Sequence, residues 1–175
     1  VPHVVLVGLM GSGKSTVGRR LAAAMKVPFL DTDSRVEEIA GRDIRTLFRQ
    51  DGEDAFRDLE SRVLDEALSV PTTTVIASGG GIVLREENRI RLGGHRVIWL
   101  RAEPTLLASR IARQARKASG HRPLVDDDPL GKLTTMSSER RPLYEVVSTA
   151  VIDVDDRTPD EIVRACQVAI DGGLG

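Results

Sequence analysis

The chain has 175 residues, 41% of them apolar and 29% charged, with a formal net charge of -1, the profile of one globular domain that stays in water. That near balance of charge, with only five scattered aromatic residues (Phe29, Phe48, Phe56, Trp99, Tyr144), excludes a general nucleic-acid binder and a base-stacking platform. No run approaches the roughly 18 to 20 consecutive apolar residues of a membrane span, and the lone Cys166 cannot close an internal disulfide and fits a reducing cytoplasm.

The first apolar run, "HVVLVG" (3–8), reads as a strand rather than a secretion signal because it runs straight into "GLMGSGKST" (8–16). Gly8, Gly13, Lys14 and Ser15 meet the pattern G-x-x-x-x-G-K-[ST]. Glycines let the backbone curl so that successive N–H groups point at an anion, and the helix that follows adds its positive end. The loop assigns a nucleotide triphosphate to Gly11, Ser12, Gly13, Lys14, Ser15 and Thr16, with Lys14 on the β- and γ-phosphates and the Ser15 hydroxyl on Mg²⁺. A helix over 14–26 follows, with Val17, Leu21 and Ala24 on one face.

"VPFLDTD" (27–33) is the second strand, and it ends in Asp31 and Asp33. Alternation along a strand aims both carboxylates to one side, at the carboxyl end of a strand expected beside the loop strand, where ligands bind in open α/β sheets. Ser34 and Glu37 offer a capping box for the next helix, which leaves Asp33 free. Asp31 is then the metal residue, acting through water, and Asp33 faces an acceptor hydroxyl. Residues 34–69 read as mostly helix, with Phe56, Leu59, Val63 and Ala67 at spacings of three and four over 53–69. "TTVIAS" (73–78) is the third strand, and it opens into Gly79, Gly80 and Gly81. Hydrolases of this class commonly place a metal-holding aspartate there; bare backbone suits the close approach of a small ligand.

"HRVIWLR" (95–101) and "TAVIDV" (149–154) complete five strands, all continuous rather than alternating, as in a parallel sheet covered on both faces. Between them "RIARQARKASGHR" (110–122) carries five positive charges and no acid. Its place after the fourth strand suggests a lid over about 110–128. Thr158 and Glu161 form a capping box with Pro159 at the first helical position. His3 and His95, at strand starts, read as structural or exposed. The class is α/β, one layer of parallel sheet between helices, in one domain over 1–175.

The ordered set "GLMGSGKST", "DTD", "FRDLE", "SGGG", "HRPL", "RRPLY" and "DRTP" resembles the shikimate kinase family over essentially the whole chain. The resemblance implies a P-loop kinase of the nucleoside-monophosphate kinase type, with a helical substrate-binding insertion (about 34–62) and a mobile lid. It implies transfer of the γ-phosphoryl group of ATP to the 3-hydroxyl of shikimate, on the route to chorismate and the aromatic amino acids, with Mg²⁺ as cofactor, in a cytoplasmic monomer that needs no nucleic acid or membrane.

By the same resemblance Asp33 contacts the shikimate hydroxyls and is the candidate base. Arg57 and Arg140, with backbone at Gly79, Gly80 and Gly81, hold the carboxylate. Arg122 serves the ATP phosphates and, with Lys14, the developing charge, while Arg157 lies against the adenine. Ile44, Phe48, Phe56 and Glu60 match the family's substrate-domain positions. Forked guanidinium groups suit a planar carboxylate, and Glu60, three residues after Arg57, can fix that arginine's rotamer. Arg140 and Arg141 both precede "PLY"; the family spacing R-x-P-L-Y selects Arg140. The lid is long and departs most from the family pattern, with extra Arg113, Arg116 and Lys117. Other readings are a gluconate kinase, which would lack these two arginines, a non-catalytic nucleotide-binding regulator, and an RNA-binding module using 110–122.

Overall fold

The computed structural model describes residues 1–119 and 128–172. Five strands form one wholly parallel sheet: β1 (Val4–Val7), β2 (Phe29–Asp31), β3 (Val75–Ala77), β4 (Arg96–Arg101) and β5 (Ala150–Asp153), in the order β2-β3-β1-β4-β5. Each expected strand is present, trimmed by at most two residues at either end. One expectation about neighbours fails. β2 pairs with β3 and not with the loop strand β1, so β3 and its glycines lie next to the phosphate loop.

The reason the runs are continuous is visible in β1. Val4 and Leu6 enter one core with Leu21 of α1 (Lys14–Met25) and Ile162, Cys166 and Ile170 of α7 (Pro159–Gly172). Val5 and Val7 enter the opposite core with Leu64, Leu92, Trp99 and Tyr144. Alternate residues therefore meet different helix layers, and neither set can be polar. In α1 the inward face is Val17, Gly18, Leu21 and Ala22; Ala24, expected inside, is exposed, because four residues at helical spacing already fill the stripe.

The second core is covered by α3 (Ile44–Leu68), α4 (Glu86–Leu92), α5 (Pro104–Ser119) and α6 (Pro129–Val147). α3 is two helical pieces joined at Gly52, whose φ of 88° and ψ of 170° are not helical; the periodicity over 53–69 falls on its second piece. A third, smaller core of Val36, Leu47, Phe56 and Val63 joins α3 to α2 (Thr32–Ala40). Among the described residues no helix is long and apolar enough to cross a membrane. The capping box at the start of α7 forms as expected: Glu161 N donates to Thr158 Oγ1 at 3.3 Å and Thr158 N to Glu161 Oε2 at 2.7 Å.

Candidate active site

The loop after β1 closes on itself around Lys14. Gly13, the residue before α1, has φ 93°, a left-handed conformation that glycine adopts without strain. A Cβ on Gly8 would lie 2.6 Å from the Leu100 carbonyl, so the loop can hug β4 only with glycine there. Lys14 is 9% exposed, and its ammonium donates to the carbonyls of Gly8 (2.7 Å) and Leu9 (2.9 Å). Burial lowers its pKa to about 8, against the opposing pull of Asp33 and Asp31 and with a smaller push from Arg140.

Asp31 does more than the sequence suggested. Its backbone is extended (φ -109°, ψ 117°), and its Oδ1 accepts from Asp33 N (3.1 Å) and Ser34 N (3.3 Å). It is the N-cap of α2, so the helix starts earlier than the expected Ser34–Glu37 box. Glu37 instead accepts from Ile44 N at 3.0 Å and supports the start of α3. Asp33 therefore sits in the first turn of a helix, not on the strand, and strand alternation is not what aims it. The other Asp31 oxygen, Oδ2, accepts from Ser15 Oγ at 2.5 Å. This pair of hard oxygens opens onto the same cleft as the loop.

That cleft holds about 550 Å³ and is lined by Gly11 to Val17, Asp31 and Asp33, with Arg157, Pro159 and Ile162 at the α7 end. Arg157 is thus brought to the loop from the far end of the chain. The fourth wall is a stripe of α5 (Arg110, Arg113, Gln114 and Lys117), and Arg110 Nη1 donates to the Gly11 carbonyl at 3.1 Å. The 110–122 stretch thus begins as a continuous helix. Spacings of three, four and seven among those residues are the sequence signal of this face. Arg122 and His121, with the rest of 120–127, lie outside the described residues.

A second cluster adjoins the first at Asp33. Glu60 is 1% exposed, and its Oε2 accepts from Arg57 Nη1 at 2.6 Å. The Arg57 guanidinium also lies 4.9 Å from the Phe56 ring centroid and 5.9 Å from that of Phe48, so aromatic faces and a buried carboxylate hold the fork still. The glycine run makes room for these charges. A Cβ on Gly79 would fall 2.6 Å from Glu60 Oε1 and 2.7 Å from Asp33 Oδ1, and one on Gly81 would run into the Arg57 guanidinium. Bare backbone is required here by the site's own side chains.

From α6, Arg140 Nη1 stands 3.6 Å from where a Gly80 Cβ would be, whereas Arg141 is exposed and bonded to Glu145 at 3.0 Å. The two arginines before "PLY" are separated by that difference. Asp33, between the two clusters, is pushed up to about 6, by burial first and then by Asp31 and Glu60, with Lys14 opposing. Glu60 is raised as well, chiefly by burial and in spite of Arg57.

Comparison with known proteins identifies the family. Residues 10–171 match the family model described as shikimate kinase. The chain is 40% identical over 160 residues to a shikimate kinase of Thermobifida fusca, covering 91% of this chain and 90% of that one. It is 44% identical over 164 residues to a shikimate kinase of Symbiobacterium thermophilum, covering 92% and 91%. The solved shikimate kinase of Acinetobacter baumannii in complex with shikimate superposes with a TM-score of 0.88 at 32% identity, over 99% of this chain and 95% of the other. A gluconokinase of Sinorhizobium meliloti, at 22% identity and a TM-score of 0.63 over 97% and 91%, shares the fold. With the family model spanning nearly its whole length, the chain belongs to the shikimate kinase family.

Proposed function

We propose that this shikimate kinase works with a nucleotide end (Gly11 to Thr16, Arg157, and Arg122 from the lid) and a substrate end (Arg57, Arg140 and Gly79 to Gly81) that meet at Asp33. The γ-phosphoryl group of ATP passes to the 3-hydroxyl of shikimate. The observation that supports this most is the position of Asp33, which shares the loop cleft with Lys14 while its Oδ1 approaches Gly79 beside Glu60. Arg57 and Arg140 form paired, charge-assisted bonds to the carboxylate, and Asp33 orients the acceptor hydroxyl and takes its proton late in the transfer. An incoming phosphate competes with the Gly8 and Leu9 carbonyls for the Lys14 ammonium, which then balances charge on the transferred group together with Arg122.

The oxygens of Ser15 and Asp31 fit Mg²⁺. Both are hard donors, and Mg²⁺ asks for one or two protein oxygens beside phosphate and water. Bound there with ATP, the ion supplies charge neutralisation on the phosphates. Ser15 would hold the ion directly and Asp31 through water.

The chain acts as one domain, with the insertion at about 34–62 and a lid at about 110–128 that closes to keep water from the phosphoryl group. It acts as a monomer in the cytoplasm, with no nucleic-acid or membrane partner. A gluconate kinase reading has only the shared fold behind it. Titration calorimetry with each ligand separately tests the division of labour. Arg57→Ala and Arg140→Ala should each weaken shikimate roughly 10- to 150-fold, through loss of a charge-assisted bond of about 1.5 to 3 kcal/mol, and leave ATP affinity nearly unchanged. Lys14→Ala should do the reverse. An Arg57→Ala variant that loses both ligands equally points to misfolding, and wild-type protein that binds gluconate but not shikimate overturns the substrate.

A further inference from the structure

Tyr144 is the chain's only tyrosine, and it is 1% exposed. Its ring stacks on Trp99, with centroids 5.4 Å apart, and its hydroxyl donates to the Gly80 carbonyl at 2.5 Å. The glycine run shows why that bond matters. The Gly79 carbonyl accepts from Ile82 N (3.2 Å) and the Gly81 carbonyl from Leu84 N (3.0 Å), so the short 3₁₀ turn Ile82–Leu84 holds both. The carbonyl between them is held by Tyr144. Arg140, one helical turn earlier in α6, stands beside Gly80 and faces the same phenol oxygen.

We propose that Tyr144 is a positioning residue: its bond to the Gly80 carbonyl locks the Gly80–Gly81 peptide against α6, and so fixes the spacing between the glycine backbone and the Arg140 guanidinium that together receive a substrate carboxylate. A peptide unit is planar, so holding its carbonyl also sets where the Gly81 N–H points. A peptide flanked by two glycines has no side chain to resist rotation. The hydroxyl supplies that resistance and places it on the helix that carries Arg140. Burial pushes the phenol up to about 12, so it keeps its proton and remains a donor throughout the working pH range. The inference rests on the assignment of Arg140 and the glycine backbone to the shikimate carboxylate.

Tyr144→Phe should raise the KM for shikimate about tenfold, the scale of one lost hydrogen bond, with kcat at saturation and the KM for ATP within about twofold. A purely structural role predicts a lower melting temperature and no such split. Ile170→Ala, in the core on the other side of the sheet, serves as a variant that loses stability and should leave the shikimate KM unchanged. The double variant Tyr144→Phe/Arg140→Ala should bind shikimate little worse than Arg140→Ala alone, because the two groups act on one contact.

If Arg140→Ala alone leaves shikimate binding intact, the carboxylate assignment falls and this inference with it. If Arg140→Ala weakens binding while Tyr144→Phe changes nothing, only the Tyr144 role is overturned. Should Tyr144→Phe not fold, wild-type protein grown with 3-fluorotyrosine gives a single ¹⁹F signal. That signal should move on adding shikimate and hold still on adding ATP alone; a signal unmoved by saturating shikimate overturns the proposal.

Discussion

Two groups at the meeting point of the clusters are held away from their ordinary proton affinities, both toward the neutral form. Asp33 rises to about 6 from 3.8, chiefly by burial, and Lys14 falls to about 8 from 10.5, again chiefly by burial. For Asp33 the native state binds its proton more tightly than the unfolded chain. Its ionisation therefore costs stability above pH 6, and that cost is relieved as pH falls toward 3.8. For Lys14 the cost of the buried ammonium is present below pH 8 and relieved as pH rises toward 10.5. In the role proposed for these two groups, stability is traded for function. Asp33→Asn should raise the melting temperature at pH 7.5, by an amount that corresponds to about 2 to 3 kcal/mol, and lower kcat by roughly 10² to 10⁴. Differential scanning calorimetry from pH 7.5 down to 4.5 checks the sign. The advantage of the variant should shrink as pH passes below 6, and a gap that widens in acid would contradict the burial argument. In the wild type, kcat/KM for shikimate should decline below about pH 6 as Asp33 takes up its proton.

Among the elements, strands were the most legible, because a parallel sheet buried on both faces writes its strands as unbroken apolar runs. The β2–α2 junction was not. Three polar residues in a row, "DTD", are compatible with a strand end or a helix start, and the choice depends on Asp31 finding two amides and Ser15 at once, a three-dimensional fact. α6 is not legible in the sequence because Gly131, Thr134, Thr135 and Pro142 blur its pattern; it is held by Leu133 and Tyr144 packing on the sheet. Strand order, which seats β3 beside the loop, leaves no trace in local periodicity. The junction makes a clean test of the cap that Asp31 forms and of the metal role proposed for it. Asparagine caps helices as well as aspartate, so Asp31→Asn should change stability by less than about 0.5 kcal/mol while turnover drops and is partly restored by added Mg²⁺; no recovery across a magnesium titration would remove Asp31 from the metal site. The glycine run makes a second. Gly81→Ala would displace Arg57 from Glu60, leaving a buried carboxylate without its partner at a cost of about 3 kcal/mol or more. Gly80→Ala meets only ordinary contacts of 3.4 to 3.6 Å, so urea denaturation of the free protein should rank Gly81→Ala well below Gly80→Ala in stability.

At the scale of the molecule, the candidate site and a structural histidine cluster occupy opposite ends of the sheet among the described residues. The loop, Asp31 and the glycine run all lie at the carboxyl ends of β1, β2 and β3, as expected where ligands bind in open α/β sheets. At the amino ends His3 is fully buried, which settles its sequence reading as structural. Its Nδ1 accepts from Thr74 N at 3.2 Å, its Nε2 meets the Leu68 carbonyl at 3.1 Å, and its backbone N donates to His95 Nδ1 at 3.1 Å. One ring thereby joins the starts of β1 and β3 to the end of α3. His3→Leu keeps the apolar bulk but orphans a buried N–H and a carbonyl, each costing about 1 to 3 kcal/mol. The variant should lose several degrees of melting temperature yet, assayed well below its own transition, keep kcat and both KM values within about twofold. Asp33→Asn should show the mirror image, a more stable protein that scarcely turns over. A His3→Leu enzyme whose shikimate KM rises while it remains fully folded would mean that strain at the amino ends reaches the glycine run through β3, and the separation of the two ends would be lost.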